Sequence, residues 1–269
     1  MAQYSIEDVV EQFEKGMFLS DDSETDDEPD KDYKSDEAIE LERQRVIGVV
    51  RAGYYDDKDI VKGMWKTVLH HGRGYFEGLA SKTLLVCRID GVHDTITSCN
   101  DNLHAEYILI NHLKTIYNGP MKMTVYINNS PCAECAERLK NCLETNVNIQ
   151  LILHVTHLYN IKRKSCKLRA DAGKHENHMH YIKDHENTYR GLRDLMSLGG
   201  NRCRIESFTK EVWEALLAVM NMSEESRKRI MRAYGLKFEH YDRSRQGEDR
   251  RIRKDLNHIK SHSDPWHDI

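Results

Sequence analysis

The stretch KMTVYINNSPCAECAERLKNCLETNVNIQLILHV, residues 122–155, decides the fold. Residues 122–128 and 149–155 are rich in β-branched and aliphatic side chains and read as strands. Between them Cys132 to Leu143 reads as a helix. Pro131 stands at its head, where the missing N–H costs nothing because the first turn of a helix leaves its N–H groups unpaired.

Working outward, KTLLVCRID (82–90) and VHDTITSC (92–99), separated by Gly91, read as a hairpin. From His104 to Tyr117, Ile108, Leu109, Leu113 and Ile116 recur at helical spacing. On the other side, past a polar stretch from 160 to 187, TYRGLRDLMSLGG (188–200) is a helix with a glycine stop, RCRIESF (202–208) a strand and TKEVWEALLAVM (209–220) a helix. The order β-β-α-β-α-β-α-β-α predicts one three-layer α/β/α domain around a five-stranded mixed sheet, its later strands joined by right-handed crossovers.

The net charge of -4 hides an asymmetry. Residues 1–42 hold 16 acids against 3 lysines, while residues 43–269 carry 37 basic and 28 acidic side chains. A basic body fits a polyanionic partner. The acidic SDDSETDDEPDKDYKSDE (20–37) lacks the apolar surface needed to offset the entropy of ordering, so it reads as a disordered linker. Its second reading is an intramolecular contact with the basic body, in competition with nucleic acid. A short amphipathic helix is expected at 5–15, behind a Ser5 cap.

These features divide the chain into an acidic tail (1–44), a folded domain (45–222) and a basic helical extension (223–269). Within the extension RRIRK (250–254), flanked by Glu248, Asp249 and Asp255, reads as a salt-bridged helix face. Seven cysteines without a framework, and no leader pattern, predict a reduced intracellular protein, cytoplasmic or nuclear. No apolar run reaches the roughly 20 residues of a membrane span.

The chemistry lies where His104-Ala105-Glu106 opens one helix and Pro131-Cys132-Ala133-Glu134-Cys135 opens the next. One imidazole and two thiolates make three zinc ligands and leave a fourth position for water, the arrangement of a catalytic site. Both sets lie at helix N-termini, which favour thiolate over thiol. Glu106, two residues beyond His104, is placed to take a proton from activated water and hand it on. H-x-E followed by P-C-x-x-C is the signature of the zinc nucleobase deaminases, with this Glu as general acid and base.

Residues 82–220 resemble the AID/APOBEC type of polynucleotide cytidine deaminase beyond that motif. LHVTHLY (153–159) is similar to the family's strand running into its substrate-selecting loop. GLRDLMSLGGNRCRIESFTKEVWEALL (191–217) is similar to its next helix, fifth strand and following helix. The resemblance implies a cytidine-deaminase-like fold with the last two strands parallel. It also implies Zn2+ as cofactor, single-stranded DNA or RNA as partner, and hydrolysis of cytosine to uracil by attack of zinc-activated water at C4.

It further implies that Ser130 and Pro131 hold the base edge and that Tyr159 stacks on the cytosine or its neighbour. Vertebrate members read Ser-Trp-Ser-Pro-Cys, where this chain has Asn128-Asn129-Ser130-Pro131-Cys132, so Asn129 replaces the active-site tryptophan. In HHGRGYFEG (70–78), Arg73 and Tyr75, with Phe76, are candidates to grip a phosphate and stack a base, against the alternative of a connection whose aromatics cap the core. His175, His178, His180 and His185 read as a solvated loop, and Cys142 and Cys203 as core thiols. Two rival functions remain: deamination of free cytidine, nucleotides or adenosine in RNA, and a catalytically inactive nucleic-acid-binding module.

Overall fold

The structure is a computed structural model that describes residues 57–66, 83–90, 95–99, 104–116, 119–162, 184–220, 222–236 and 244–262. The expected helix at 5–15, the acidic stretch, the 70–78 segment with Arg73, Tyr75 and Phe76, Cys166, and His175, His178 and His180 lie outside the described residues.

The described elements are α1 (Asp57–Lys66), β1 (Leu84–Ile89), β2 (Thr95–Cys99), α2 (Ala105–Ile116), β3 (Met121–Asn129), α3 (Ala133–Thr145), β4 (Ile149–His157), α4 (His185–Met196), β5 (Cys203–Ser207), α5 (Lys210–Val219), α6 (Glu224–Ala233) and α7 (Arg245–Ser261). The sheet order is β2-β1-β3-β4-β5. β1 pairs antiparallel with β2 and β3, whereas β3–β4 and β4–β5 are parallel, so the chain is a mixed α/β fold with the expected parallel pairing of the last two strands. The expected elements recur with shifted ends. α4 starts at His185, ahead of the predicted Thr188: the Asp184 carbonyl accepts the Thr188 N–H at 3.1 Å, and His185 is already buried. Its glycine stop is Gly199, at φ +85°.

Alternation along the strands builds two cores, one on each face of the sheet. Leu85, Cys87 and Ile89 of β1, Met123, Val125 and Ile127 of β3, and Leu151, Leu153 and Val155 of β4 pack under α2, α3 and α4. Leu84, Val86 and Tyr126 face the other way, against Ile60, Val61, Met64 and Trp65 of α1 and Trp213, Leu216 and Leu217 of α5. Cys203 is buried in the first core and Cys142 packs at its margin. Gly191 of α4 lets that helix approach α3 closely: a Cβ there would stand 3.2 Å from Ala136 Cβ and 3.3 Å from the Ala133 backbone.

α1 is an element outside the expected set, although Ile60, Val61, Met64 and Trp65 recur at helical spacing. That apolar face packs toward Trp213 and Tyr234, whose rings lie edge-on to Trp65 at 5.0 and 6.4 Å. Residues 223–262, set apart above as an extension, contribute to both cores. Ile230 and Tyr234 join the α1/α5 side, and Ile252, Leu256 and Ile259 of α7 join the α2/α3/α4 side. Of RRIRK, Ile252 is buried, Arg251 bridges Glu248 at 3.2 Å, and Arg253 Nε donates to Ser207 Oγ at 3.4 Å. Among the described residues no helix is long and apolar enough to cross a membrane.

Candidate active site

In this fold the parallel strands β3, β4 and β5 end at Asn129, His157 and Ser207, and ligands of open α/β sheets bind outside such carboxyl ends. Here α2 and α3 begin. His104 immediately precedes α2, and its carbonyl accepts the N–H groups of Tyr107 and Ile108. Cys132 is the N-cap of α3: its extended backbone (φ −69°, ψ 172°) turns the thiol back to accept the Cys135 N–H at 3.5 Å. Both helix starts therefore direct side chains and first-turn N–H groups to one spot.

The ligand atoms of His104, Cys132 and Cys135 lie within 4.8 Å of one another. His104 Nδ1 is 3.2 Å from Cys135 Sγ and 3.5 Å from Cys132 Sγ. Tetrahedral zinc, with bonds of about 2.0–2.3 Å, places its ligand atoms roughly 3.3–3.8 Å apart. The donor set and its spacing fit such an ion with little rearrangement. Cys135 is buried, Cys132 half-buried and His104 exposed, so the group opens to solvent on the imidazole side.

The charge state of the group matches this role. The thiol and backbone N–H of Cys135 pull Cys132 down to about 5, against its own burial, while the same thiol pairing and burial push Cys135 well above its ordinary value. One thiolate is thus already favoured, and a metal would displace the second proton. Glu106, on the first turn of α2 and 3% exposed, is pushed up to about 7 by burial, with the Cys132 charge adding to the rise and a backbone hydrogen bond opposing it. A carboxyl that titrates near neutrality can both take and give a proton.

Ser130 and Pro131, both buried, lead directly into Cys132. The Ser130 N–H donates to the His157 carbonyl at 2.8 Å, and Ser130 Oγ accepts the Tyr159 N–H at 2.9 Å, which links the β3 end to the turn after β4. Tyr159 is 42% exposed, as a stacking surface would be. Asn129 accepts from His157 Nδ1 at 2.9 Å and donates to Thr83 Oγ1 at 3.4 Å. Behind it, Asn128 Oδ1 accepts the N–H groups of Leu84 (2.7 Å) and Asn129 (3.0 Å), and Thr156 Oγ1 donates to the carbonyls of Asn128 (3.0 Å) and Met64 (3.2 Å).

The structure thus brings together His104, Glu106, Cys132 and Cys135, with Asn129, Ser130, Pro131 and Tyr159 alongside. Arg73 and Tyr75 lie outside the described residues. Thr83, Asn128, Thr156 and His157 border the site and were passed over in the sequence. The usable signal was strand alternation, which places Asn129 and His157 in the rows ending Val125-x-Ile127 and Leu153-x-Val155.

Comparison with known proteins bears on the same region. Residues 77–189 match the family model described as APOBEC3, cytosine deaminase domain. Over 80 residues the chain is 30% identical to the C->U-editing enzyme APOBEC-2 of Mus musculus, a match covering 24% of this chain and 36% of that relative. The chain therefore spans about a third of the length of the curated relative it matches.

Proposed function

We propose, from the premise that this chain is a member of the AID/APOBEC-like cytidine deaminase superfamily, that it hydrolyses cytosine to uracil in single-stranded DNA or RNA. The observation that carries the reading is the buried Glu106, on the first turn of the helix that His104 precedes, beside a His104/Cys132/Cys135 group spaced for a tetrahedral ion. Under this reading β2-β1-β3-β4-β5 is the five-stranded sheet of a cytidine-deaminase-like domain. The domain is taken to begin near residue 45 and to include α6 and α7, because both share its cores.

His104, Cys132 and Cys135 would hold zinc, which supplies Lewis acidity that makes water a nucleophile near neutral pH. Glu106 accepts the proton that water loses. It protonates ring N3 as C4 is attacked, then takes the proton of the hydroxyl now on C4 and delivers it to the departing amino group, so that cytosine and water yield uracil and ammonia. Ser130 and Pro131 present backbone groups to the base edge, and Tyr159 offers a stacking face, worth about 1–3 kcal/mol per base. A polymer substrate is supported by the parallel β4–β5 pair and by the excess of 37 basic over 28 acidic residues in 43–269.

The experiment is uracil formation by zinc-loaded protein on single-stranded DNA holding every cytosine context, on matched RNA and on free cytidine, with Glu106→Gln as control. Uracil in a polymer that disappears with the glutamine supports the reading. Conversion of free cytidine alone replaces it with a small-molecule deaminase. Silence on all three, with zinc and nucleic acid bound, replaces it with an inactive binding module.

A further inference from the structure

The apolar face of the sheet beneath α2 and α3 ends in a polar row. In the β1–β3 register Leu85 stands opposite Ile127, so two residues further Thr83 stands opposite Asn129, and β4 places His157 opposite Asn129 on the other side. Because side chains alternate, all three occupy the face of Leu85, Ile127 and Val155, the face that α2 and α3 cover. These are the helices whose first turns carry His104, Glu106, Cys132 and Cys135. The row is internally bonded: His157 Nδ1–H to Asn129 Oδ1 at 2.9 Å, and Asn129 Nδ2–H to Thr83 Oγ1 at 3.4 Å.

This bonding fixes the Asn129 amide. With Oδ1 held by His157, the nitrogen end is set toward Thr83, and the same amide nitrogen carries a second N–H at the end of β3, two residues before Pro131. A hydrogen-bonding wall discriminates among bases by what it leaves unpaired. Pyrimidines with a 2-oxo group offer a carbonyl acceptor on C2, joined through N3 to the C4 whose bond to the exocyclic amino nitrogen is hydrolysed, whereas adenine has only C–H at the position between its two ring nitrogens.

We infer that Asn129 reads the 2-carbonyl oxygen of the pyrimidine and that His157 is a positioning residue that orients the Asn129 amide for it. The inference rests on the deaminase reading above and names the substrate group read by that site. Thr83 completes the row by taking the other amide N–H.

The test uses single-stranded oligonucleotides carrying one cytosine or one 2-thiocytosine, whose sulfur is the poorer acceptor, and compares wild type with Asn129→Asp, His157→Phe and His157→Asn. Asn129→Asp is near-isosteric and keeps the His157 bond while removing the donor. His157→Asn keeps a donor near the Nδ1 position. The expected result is a loss in kcat/KM on cytosine of about ten- to a hundredfold for Asn129→Asp and His157→Phe, with His157→Asn within about threefold of wild type. Neither impaired variant should lose further on 2-thiocytosine, and each should retain one zinc per chain and the wild-type melting temperature. Equal losses on both bases, or no loss on cytosine, overturn the inference while leaving the deaminase reading intact. A wild type silent on both oligonucleotides overturns the deaminase reading itself and this inference with it.

Discussion

Replacing Arg245 by methionine should destabilise the whole domain, although the residue lies in the last helix and far along the chain from the ligand set. Arg245 is fully buried and Asp249 is 1% exposed. The guanidinium donates through Nε (3.1 Å) and Nη2 to Asp249 Oδ1, and through Nη2 to the Thr156 carbonyl at 3.2 Å, while lying 5.6 Å from the Trp213 ring centroid. Asp249 Oδ2 also accepts from Trp213 Nε1 at 3.1 Å, and Tyr234 hydrogen-bonds the same carboxylate. One buried pair therefore ties α7 to β4, α5 and the segment after α6. Removing one member of a buried ion pair leaves the other charge without compensation in a poor dielectric, a cost of about 3–5 kcal/mol.

The sign with pH follows from the carboxyl. Burial pushes Asp249 up from its ordinary 3.8, and Arg245 with the hydrogen bonds from Trp213 pulls it back. Without Arg245 the folded-state value rises further above the unfolded one. The native state then takes up a proton more readily than the unfolded chain, so the deficit is largest at neutral pH and shrinks as pH falls through the raised value. Urea unfolding at pH 7.5 and pH 5, with metal content matched, measures both effects. Adding Asp249→Asn should recover at least about 2 kcal/mol relative to the sum of the single changes, because the double variant buries no charge. A loss below about 1 kcal/mol for Arg245→Met, or an equal loss at the two pH values, would refute the reasoning.

Three further outcomes are expected. Chelation of metal, or Cys135→Ser, should abolish uracil formation and lower the thermal midpoint, since a ligand bound only by the native state stabilises it by mass action; calorimetry with and without added Zn2+ reads this, and an unchanged midpoint would count against a zinc site at His104, Cys132 and Cys135. His154, stacked on Tyr126 at 5.6 Å, is held below its usual 6.5 by burial, with Glu206 opposing and Arg204 assisting. Its stability contribution is therefore complete above pH 6.5 and lost as pH falls below it, so His154→Phe should flatten the acid-side decline of the unfolding free energy from urea titration by up to about 1.4 kcal/mol per pH unit, and an unchanged slope would refute this. Gly191→Val should cost about 1–3 kcal/mol in chemical denaturation by forcing α4 away from Ala133 and Ala136, whereas Val at the solvent-facing Gly200, whose Cβ would meet only Arg204 at 3.8 Å, should not.

The sequence by itself determined the parts whose signals are local. Strand-helix-strand from 122 to 155 is written in β-branched runs around a Pro-headed helix, and His104, Glu106, Cys132 and Cys135 declare their chemistry by residue type and spacing, because a metal site needs particular donors within a few residues of a helix start. What only the tertiary structure decided depends on partners distant in the chain. The apolar side chains of α1, DKDIVKGMWK, stand at helical spacing, but what they pack against, Trp213 and Tyr234, is set by the fold. The C-terminal helix reads as a charged surface element, yet Arg245, Glu248, Asp249 and Asp255 are buried: Arg245 pairs with Asp249 and with the Thr156 carbonyl of β4, and Glu248 with Arg251, an arrangement that needs the sheet already in place. The row Thr83–Asn129–His157 has the same origin: each residue is unremarkable in its own strand, and the three become one hydrogen-bonded unit through strand register, a pairing between segments 46 and 28 residues apart that no local pattern encodes.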